Sequence, residues 1–332
     1  MPKPTRVTMK DVAAEAGVSQ STVSFVLGGA TDMRIAPETA RRVEAAAERL
    51  GYARRPAGRP RSASVPVIGL MLDEIATSPF AAISVEGMQE RAWAEGALVE
   101  VVMSGGSRAY ERAALARWQE AGVAGVVYGS ILTRRVEPPA ALGAMRAVLL
   151  NCYDADGRLP AVVPDERGGG AAAARLLVEA GHRAIAFIGG EDWMDAARER
   201  RAGFEGALAE AGLAPVAVEA GNFLLDGGRE AARRLIASGA RFDALFCASD
   251  RMAAGAYAAL MEAGLIPGRD VGVMGYDDLE IAQRLDPPLT TVLLPHREMG
   301  QWAAEAVLSS RPLAHGTVRL DCPVVARASH LS

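Results

Sequence analysis

The chain has 332 residues, half of them apolar, enough for two or three domains with buried cores. Its net charge of −4 hides an asymmetry: residues 1–64 carry 11 Lys and Arg against 6 Asp and Glu, net +5, whereas residues 65–332 carry 25 against 34, net −9. Apolar runs such as "VIGLML" fall far short of the roughly 18 residues needed to span a bilayer, no signal-peptide core opens the chain, and Cys152, Cys247 and Cys322 are dispersed, which excludes a spanning helix and a disulfide or zinc framework and predicts a cytoplasmic protein.

Only the N-terminal part has the sign for phosphate contacts. There "VTMKDVAAEAGVSQSTVSFVLGG" divides into two short helical patterns around a turn. Thr8 with Asp11 resembles a capping box, Gly17 suits a left-handed helix end, and Ser19 is placed to cap the second helix. Val12, Ala13, Ala16, Val18, Val23, Val26 and Leu27 form a buried face, which leaves Gln20, Ser21, Ser24 and Phe25 exposed. A third helix, "PETARRVEAAAERLGY", carries an apolar stripe of Val43, Ala46, Ala47 and Leu50. The pattern fits a helix-turn-helix with its second helix in the major groove, or a plain helical bundle with a solvated face.

The same segment resembles the DNA-binding headpiece of LacI/GalR-type transcriptional repressors over nearly its full length. The resemblance implies DNA contacts from Thr8, Ser19, Gln20, Ser21, Thr22, Ser24 and Phe25. Phe25 stands where many members have a DNA-contacting arginine, and Ala36 where the third helix usually has a serine cap, a loss of about 1 kcal/mol.

From Val65 onward, strand-like runs ("VPVIGLML", "LVEVVM", "GVVYGS", "AIAFIGG", "ALFCAS", "VGVMGY") alternate with helical ones. This predicts an α/β class, with parallel sheets covered by helices in two lobes. Such sheets bind ligands at the carboxyl ends of their strands, where Asp73, Asn151, Asp165, Ser249, Asp250, Asp277 and Asp278 stand, placed either to bond a hydroxylated ligand or to cap helices and turns. Enzyme motifs fail. Gly168–Gly170 lacks the Lys and Ser/Thr of a P-loop, His182, His296, His315 and His330 make no metal-ligand spacing, and no nucleophile elbow occurs, so no catalytic residue, metal or cofactor is expected.

Segments "AGHRAIAFIGG", "ARERRAGFEGALAEAGL", "CASDRMAAGAYAAL" and "VGVMGYDDLEIAQRLDPPLTTV" resemble the ligand-sensing domain of the same repressor family, which shares its fold with periplasmic sugar-binding proteins. That resemblance implies ligand anchors at Arg200 and Asp277, a stacking Phe223, hydroxyl contacts from Asn151 and Ser249, and Asp73 and Phe80 in the same set. Trp193 is assigned either to the cleft or to the core. Asn151 and Ser249 depart from the usual Asp and Asn, which bears on which ligand fits.

The expected organisation is a headpiece at 1–53, a hinge at 54–64, and a ligand-sensing and dimerisation domain at 65–332. Its N-lobe is assigned to about 65–164 and 295–323, its C-lobe to about 165–294 and 324–332. In the hinge "RRPAGRPRSAS", the position where the family inserts a leucine into the minor groove holds Arg61, and Pro56, Gly58 and Pro60 disfavour a helix. "GRPR" resembles the core of AT-hook peptides, which gives Arg59 and Arg61 a minor-groove role, against a plain solvated tether. The function expected is a homodimeric repressor of operator DNA controlled by a small sugar-like effector; the alternative is a sugar-binding or sugar-modifying protein without operator recognition.

Overall fold

A computed structural model of the chain describes residues 9–19, 22–23, 26, 36–50, 65–73, 79–313 and 315–331, in two units, Met1–Ser64 and Val65–Ser332. In the first, helix α1 (Met9–Ala16) ends at Gly17, whose φ of +62° is the left-handed geometry a Cβ resists. The Ser19 hydroxyl accepts a 3.1 Å hydrogen bond from the Thr22 amide, so it caps the helical residues that follow. Helix α2 (Pro37–Arg49) opens with no side-chain cap at Ala36. Val12, Ala13, Ala16, Val23, Val43, Ala46 and Ala47 close a small core, with Val18, Val26 and Leu50 packed against it. Leu27, the assigned DNA contacts Thr8, Gln20, Ser21, Ser24, Phe25, Arg59 and Arg61, and the 54–64 hinge lie outside the described residues.

The second unit runs through β1 (Val67–Leu72), α3 (Pro79–Ala94), β2 (Leu98–Met103), α4 (Arg108–Ala121), β3 (Gly125–Val136), β4 (Ala147–Asp154), β5 (Ala161–Pro164) and α5 (Glu166–Glu179). It continues with β6 (Ile185–Gly189), α6 (Asp195–Glu210), β7 (Ala217–Ala220), α7 (Leu225–Ala237), β8 (Ala244–Cys247), α8 (Asp250–Glu262) and β9 (Gly272–Met274). It closes with α9 (Glu280–Arg284), β10 (Thr291–Val292), α10 (His296–Leu308), β11 (Thr317–Leu320) and β12 (Val324–Val325).

These elements build the expected α/β architecture. One lobe centres on a parallel sheet of order β11-β5-β4-β3-β1-β2, the other on a parallel sheet β7-β6-β8-β9, and β10 pairs antiparallel with β12. Inner strands are apolar without alternation because helices cover both faces. Ile68, Leu70, Val127, Val148 and Leu150 of the first sheet pack against Met88 of α3 and Met299 of α10. The other core gathers Phe187, Phe204 and Phe246, with ring centroids 5.2 to 5.4 Å apart. The apolar run "GVVYGS" stops at Ser130, yet β3 continues to Val136, its register against β4 shifting between Gly129 and Arg134. The extension, Ile131 to Val136, mixes apolar residues with Thr133, Arg134 and Arg135, so its hydrophobic pattern does not mark it as part of the same strand.

Three helix pairs meet backbone to backbone through reciprocal glycines. A Cβ on Gly87 of α3 would stand 2.2 Å from the Arg297 carbonyl oxygen of α10, and one on Gly300 of α10 2.1 Å from that of Ser84. Gly170 of α5 and Gly203 of α6 meet the carbonyls of Arg200 and Arg167 in the same way, at 2.1 and 1.9 Å. Gly228 of α7 and Gly255 of α8 meet those of Met252 and Leu225 at 2.2 and 2.0 Å. Within the glycine run at 168–170, Gly170 thus brings α6 against α5, while Gly169 makes room for the Tyr276 hydroxyl and Gly168 for the Asp165 carboxylate. Cys152, Cys247 and Cys322 are free and buried, and no helix among the described residues is long and apolar enough to cross a membrane.

Candidate ligand-binding cleft

A cavity of about 190 Å³ opens between the two lobes at the carboxyl ends of their strands. That is smaller than the ~300–1,000 Å³ of drug-sized sites, so it suits a small ligand. The six-stranded lobe contributes Phe80, Ile131, Leu132, Thr133 and Asn151. Glu166, Met194, Ala196, Arg200, Phe223, Arg251, Asp277 and Leu279 face them, and Leu294 and His296 come from the connection between lobes.

Arg200 is the centre of the polar wall. Its Nε and Nη2 donate to Glu166 Oε2 and Oε1 at 2.7 and 3.1 Å, a two-point ion pair. Its Nη1 donates to the Ala248 carbonyl at 2.6 Å and to Asp277 Oδ1 at 3.1 Å. The guanidinium lies 3.8 Å from the Tyr276 ring centroid and 5.8 Å from that of Phe223. Burial opposes its charge, but Glu166 and Asp277 overcome that and hold its pKa above the usual arginine value.

Burial has the opposite result at Asp277, whose carboxyl is pushed up to about 7. Arg200 pulls it down, though not far enough, because the same guanidinium is already neutralised by Glu166, whose charge raises Asp277 further. Asp250 behind it is also raised, by burial and by Asp277, although Thr291 Oγ1 donates to its Oδ1 at 2.5 Å and the Leu279 amide to its Oδ2 at 2.7 Å. Burial, with Arg200 nearby, lowers the His296 imidazole to about 3, so it lines the cleft as a neutral ring, stacked on Phe80 with centroids 4.9 Å apart. On the facing wall, Thr133 Oγ1 donates to Asn151 Oδ1 at 2.7 Å and Asn151 Nδ2 donates to the Ser130 carbonyl at 3.0 Å.

Backbone strain concentrates here. Four residues other than glycine have left-handed φ among the described residues, and three of them line the cavity: Asn151 at +55°, Phe223 at +62° and Asp277 at +112°. Each such conformation costs of order 1–3 kcal/mol and persists only where the surroundings fix it. The Phe223 ring lies where a Cβ on Gly190 would stand, 1.8 Å from that position. Among the described residues no cluster of His, Cys, Asp or Glu is arranged to hold a metal ion.

Residues 8–55 match the model of bacterial regulatory proteins of the lacI family, and residues 174–330 match the periplasmic binding protein-like domain. The ribose operon repressor of Escherichia coli K12 is 32% identical over 310 residues, covering 91% of this chain and 92% of its own. The chain belongs to the LacI family. Among solved LacI-family structures, the Lac repressor dimer bound to operator and the anti-inducer ONPF has 27% identity and a TM-score of 0.67, covering 99% of this chain and 100% of its own. The complex of the transcriptional regulator CelR with cellobiose has 26% identity and a TM-score of 0.61, covering 98% and 100%.

The ligand positions assigned to this LacI-family chain from its sequence separate into two groups. Phe80, Asn151, Arg200, Phe223 and Asp277 line the cavity, whereas Asp73, Trp193 and Ser249 do not. Asp73 lies beneath the wall, accepting from Ser130 Oγ at 2.8 Å, the Ile131 amide at 2.9 Å and Arg134 Nη2 at 2.9 Å. Ser249 caps α8, accepting from the Met252 amide at 3.2 Å, and Trp193 is neither core nor cleft, with 65% of its surface exposed. Sequence reasoning missed Glu166, His296, Arg251, Met194 and Thr133. Glu166 follows Asp165, a residue singled out at a strand end, and its place in the first turn of α5 looks like simple complementarity to the helix dipole.

Proposed function

We propose that this chain is a transcriptional repressor whose operator affinity is set by a small sugar or sugar-like effector bound between the lobes. The observation that carries this reading is the cleft itself: a small cavity at the strand ends, walled by left-handed Asn151, Phe223 and Asp277 and by the buried Arg200. Family membership supports operator recognition by the headpiece, and the ribose and cellobiose in the names of the similar proteins support a carbohydrate effector. Closure of the lobes on the ligand changes the headpiece's DNA affinity, and a coupling of about 1–3 kcal/mol gives a 5- to 150-fold change. The protein carries out no chemistry in this reading and works in the cytoplasm, where its operator is.

A homodimer fits the same reading. Trp93, Leu98 and Met103 of α3 and β2, and Leu225 and Met261 of α7 and α8, are large apolar side chains left exposed in the single chain. The Lac repressor neighbour is itself a dimer bound to operator. Two headpieces related by a two-fold axis read a pseudo-palindromic site.

The test combines a deletion and two point variants. A 65–332 fragment keeps ligand binding in calorimetry and loses specific operator binding. Arg200→Ala and Asp277→Ala keep operator binding and lose the response to ligand. Operator binding that survives the deletion, or an unchanged ligand affinity in both variants, refutes the assignment.

A further inference from the structure

The cleft has two guanidinium groups, and they are in opposite situations. All three Arg200 nitrogens are engaged, two of them by Glu166, so this residue has little left to offer a ligand. Arg251 lines the same cavity from the first turn of α8 and forms no ion pair or hydrogen bond among the described residues. A cation at the positive end of a helix, against a wall of mainly apolar side chains, is poorly placed unless an anion joins it. The acids around it are engaged elsewhere: Asp250 is committed to Thr291 and the Leu279 amide, Glu166 to Arg200, and Asp277, whose charge Arg251 favours only through space, accepts from Arg200.

Resting on the effector reading above, we propose that the ligand is acidic, a small ring bearing a carboxylate or phosphate, and that Arg251 is its counter-charge. Arg200 is then a scaffold that Glu166 holds in place, and the ring lies between Phe223 and the Phe80–His296 stack. Asn151, Thr133 and Asp277 supply the polar contacts to its neutral substituents.

The experiment is calorimetry on the full-length protein with glucose, ribose, galactose and fructose, each offered as the neutral sugar, the corresponding sugar acid and the sugar phosphate. The proposal expects at least one acidic member to bind about tenfold or more tighter than its neutral parent. Arg251→Gln removes that preference, and Arg251→Lys retains part of it because it keeps the charge. Acid and phosphate arms identify which anion is recognised. Neutral sugars that bind as tightly as their acidic forms, or a preference unchanged in Arg251→Gln, overturn the anion assignment and leave the carbohydrate effector standing. An absence of binding by every member overturns both.

Discussion

Arg200 and Glu166 face each other as a two-point ion pair, each side chain only 4% exposed, and this pair fixes the polar wall of the cleft. Removing one member of such a pair leaves a buried charge short of its partner, a loss of about 3–5 kcal/mol in comparable sites. Glu166→Gln therefore lowers the urea midpoint with little change in slope, towards the lower end of that range because Asp277 remains. Adding Arg200→Met to Glu166→Gln restores part of the loss, since the stranded charge is then gone. A double variant less stable than Glu166→Gln alone contradicts this account.

Asp277 has a folded-state pKa near 7, above the ordinary carboxylate value, because burial outweighs Arg200. The folded chain thus binds this proton more tightly than the unfolded chain. The resulting stabilisation is fully present below about pH 4 and is lost as pH rises through about 7. Asp277→Asn keeps an oxygen for Arg200 and removes the titration. Its melting temperature should fall less than that of the wild type between pH 5 and pH 8, by at least several degrees in thermal denaturation.

Tyr153, on β4, donates a 2.7 Å hydrogen bond to Asp195 Oδ2 at the start of α6, next to the cavity-lining Met194 and Ala196, so it joins one lobe to the other. A bond to a charged acceptor at a partly exposed site contributes about 1 kcal/mol. Tyr153→Phe should change global stability by less than about 1 kcal/mol. It should also weaken effector binding roughly threefold to tenfold, because the bond ties together the two lobes that the ligand bridges. Unaltered effector affinity in calorimetry rules out this latch.

Gly203→Ala forces a Cβ to within 1.9 Å of the Arg167 carbonyl, which α6 relieves only by moving away from α5. Overpacking of this kind costs roughly 1–3 kcal/mol, and the displacement carries Arg200 with it. Both chemical stability and effector affinity should fall. Gly206→Ala, on the same helix with nothing within 4 Å of its added methyl, should be neutral or stabilise by up to about 1 kcal/mol.

The alternation of strands and helices was legible because inner parallel strands leave long apolar runs, and five cleft residues were legible through the family's spacing. The residues that escaped did so for local reasons. Thr133 enters the cleft beside Ile131 and Leu132 because the register of β3 against β4 shifts between Gly129 and Arg134, an irregularity that no hydrophobic pattern signals. Arg251 and Glu166 sit in first turns of helices, where charged residues are common. Ser249 shows the converse: a polar residue at a strand end is as well used by a helix cap as by a ligand. Trp193 is neither core nor cleft: a large aromatic on a loop has a third option, solvent.

The reciprocal glycines carry one more consequence. At three helix crossings the carbonyl of one backbone rests where the neighbour's side chain would be, with no rotamer between them to take up a displacement. A push on Arg200 therefore passes directly into Gly170 and α5 without damping. Each helix pair behaves as a solid body, and adaptation of this protein to a different effector must be confined to the loops and first turns that rim the cavity.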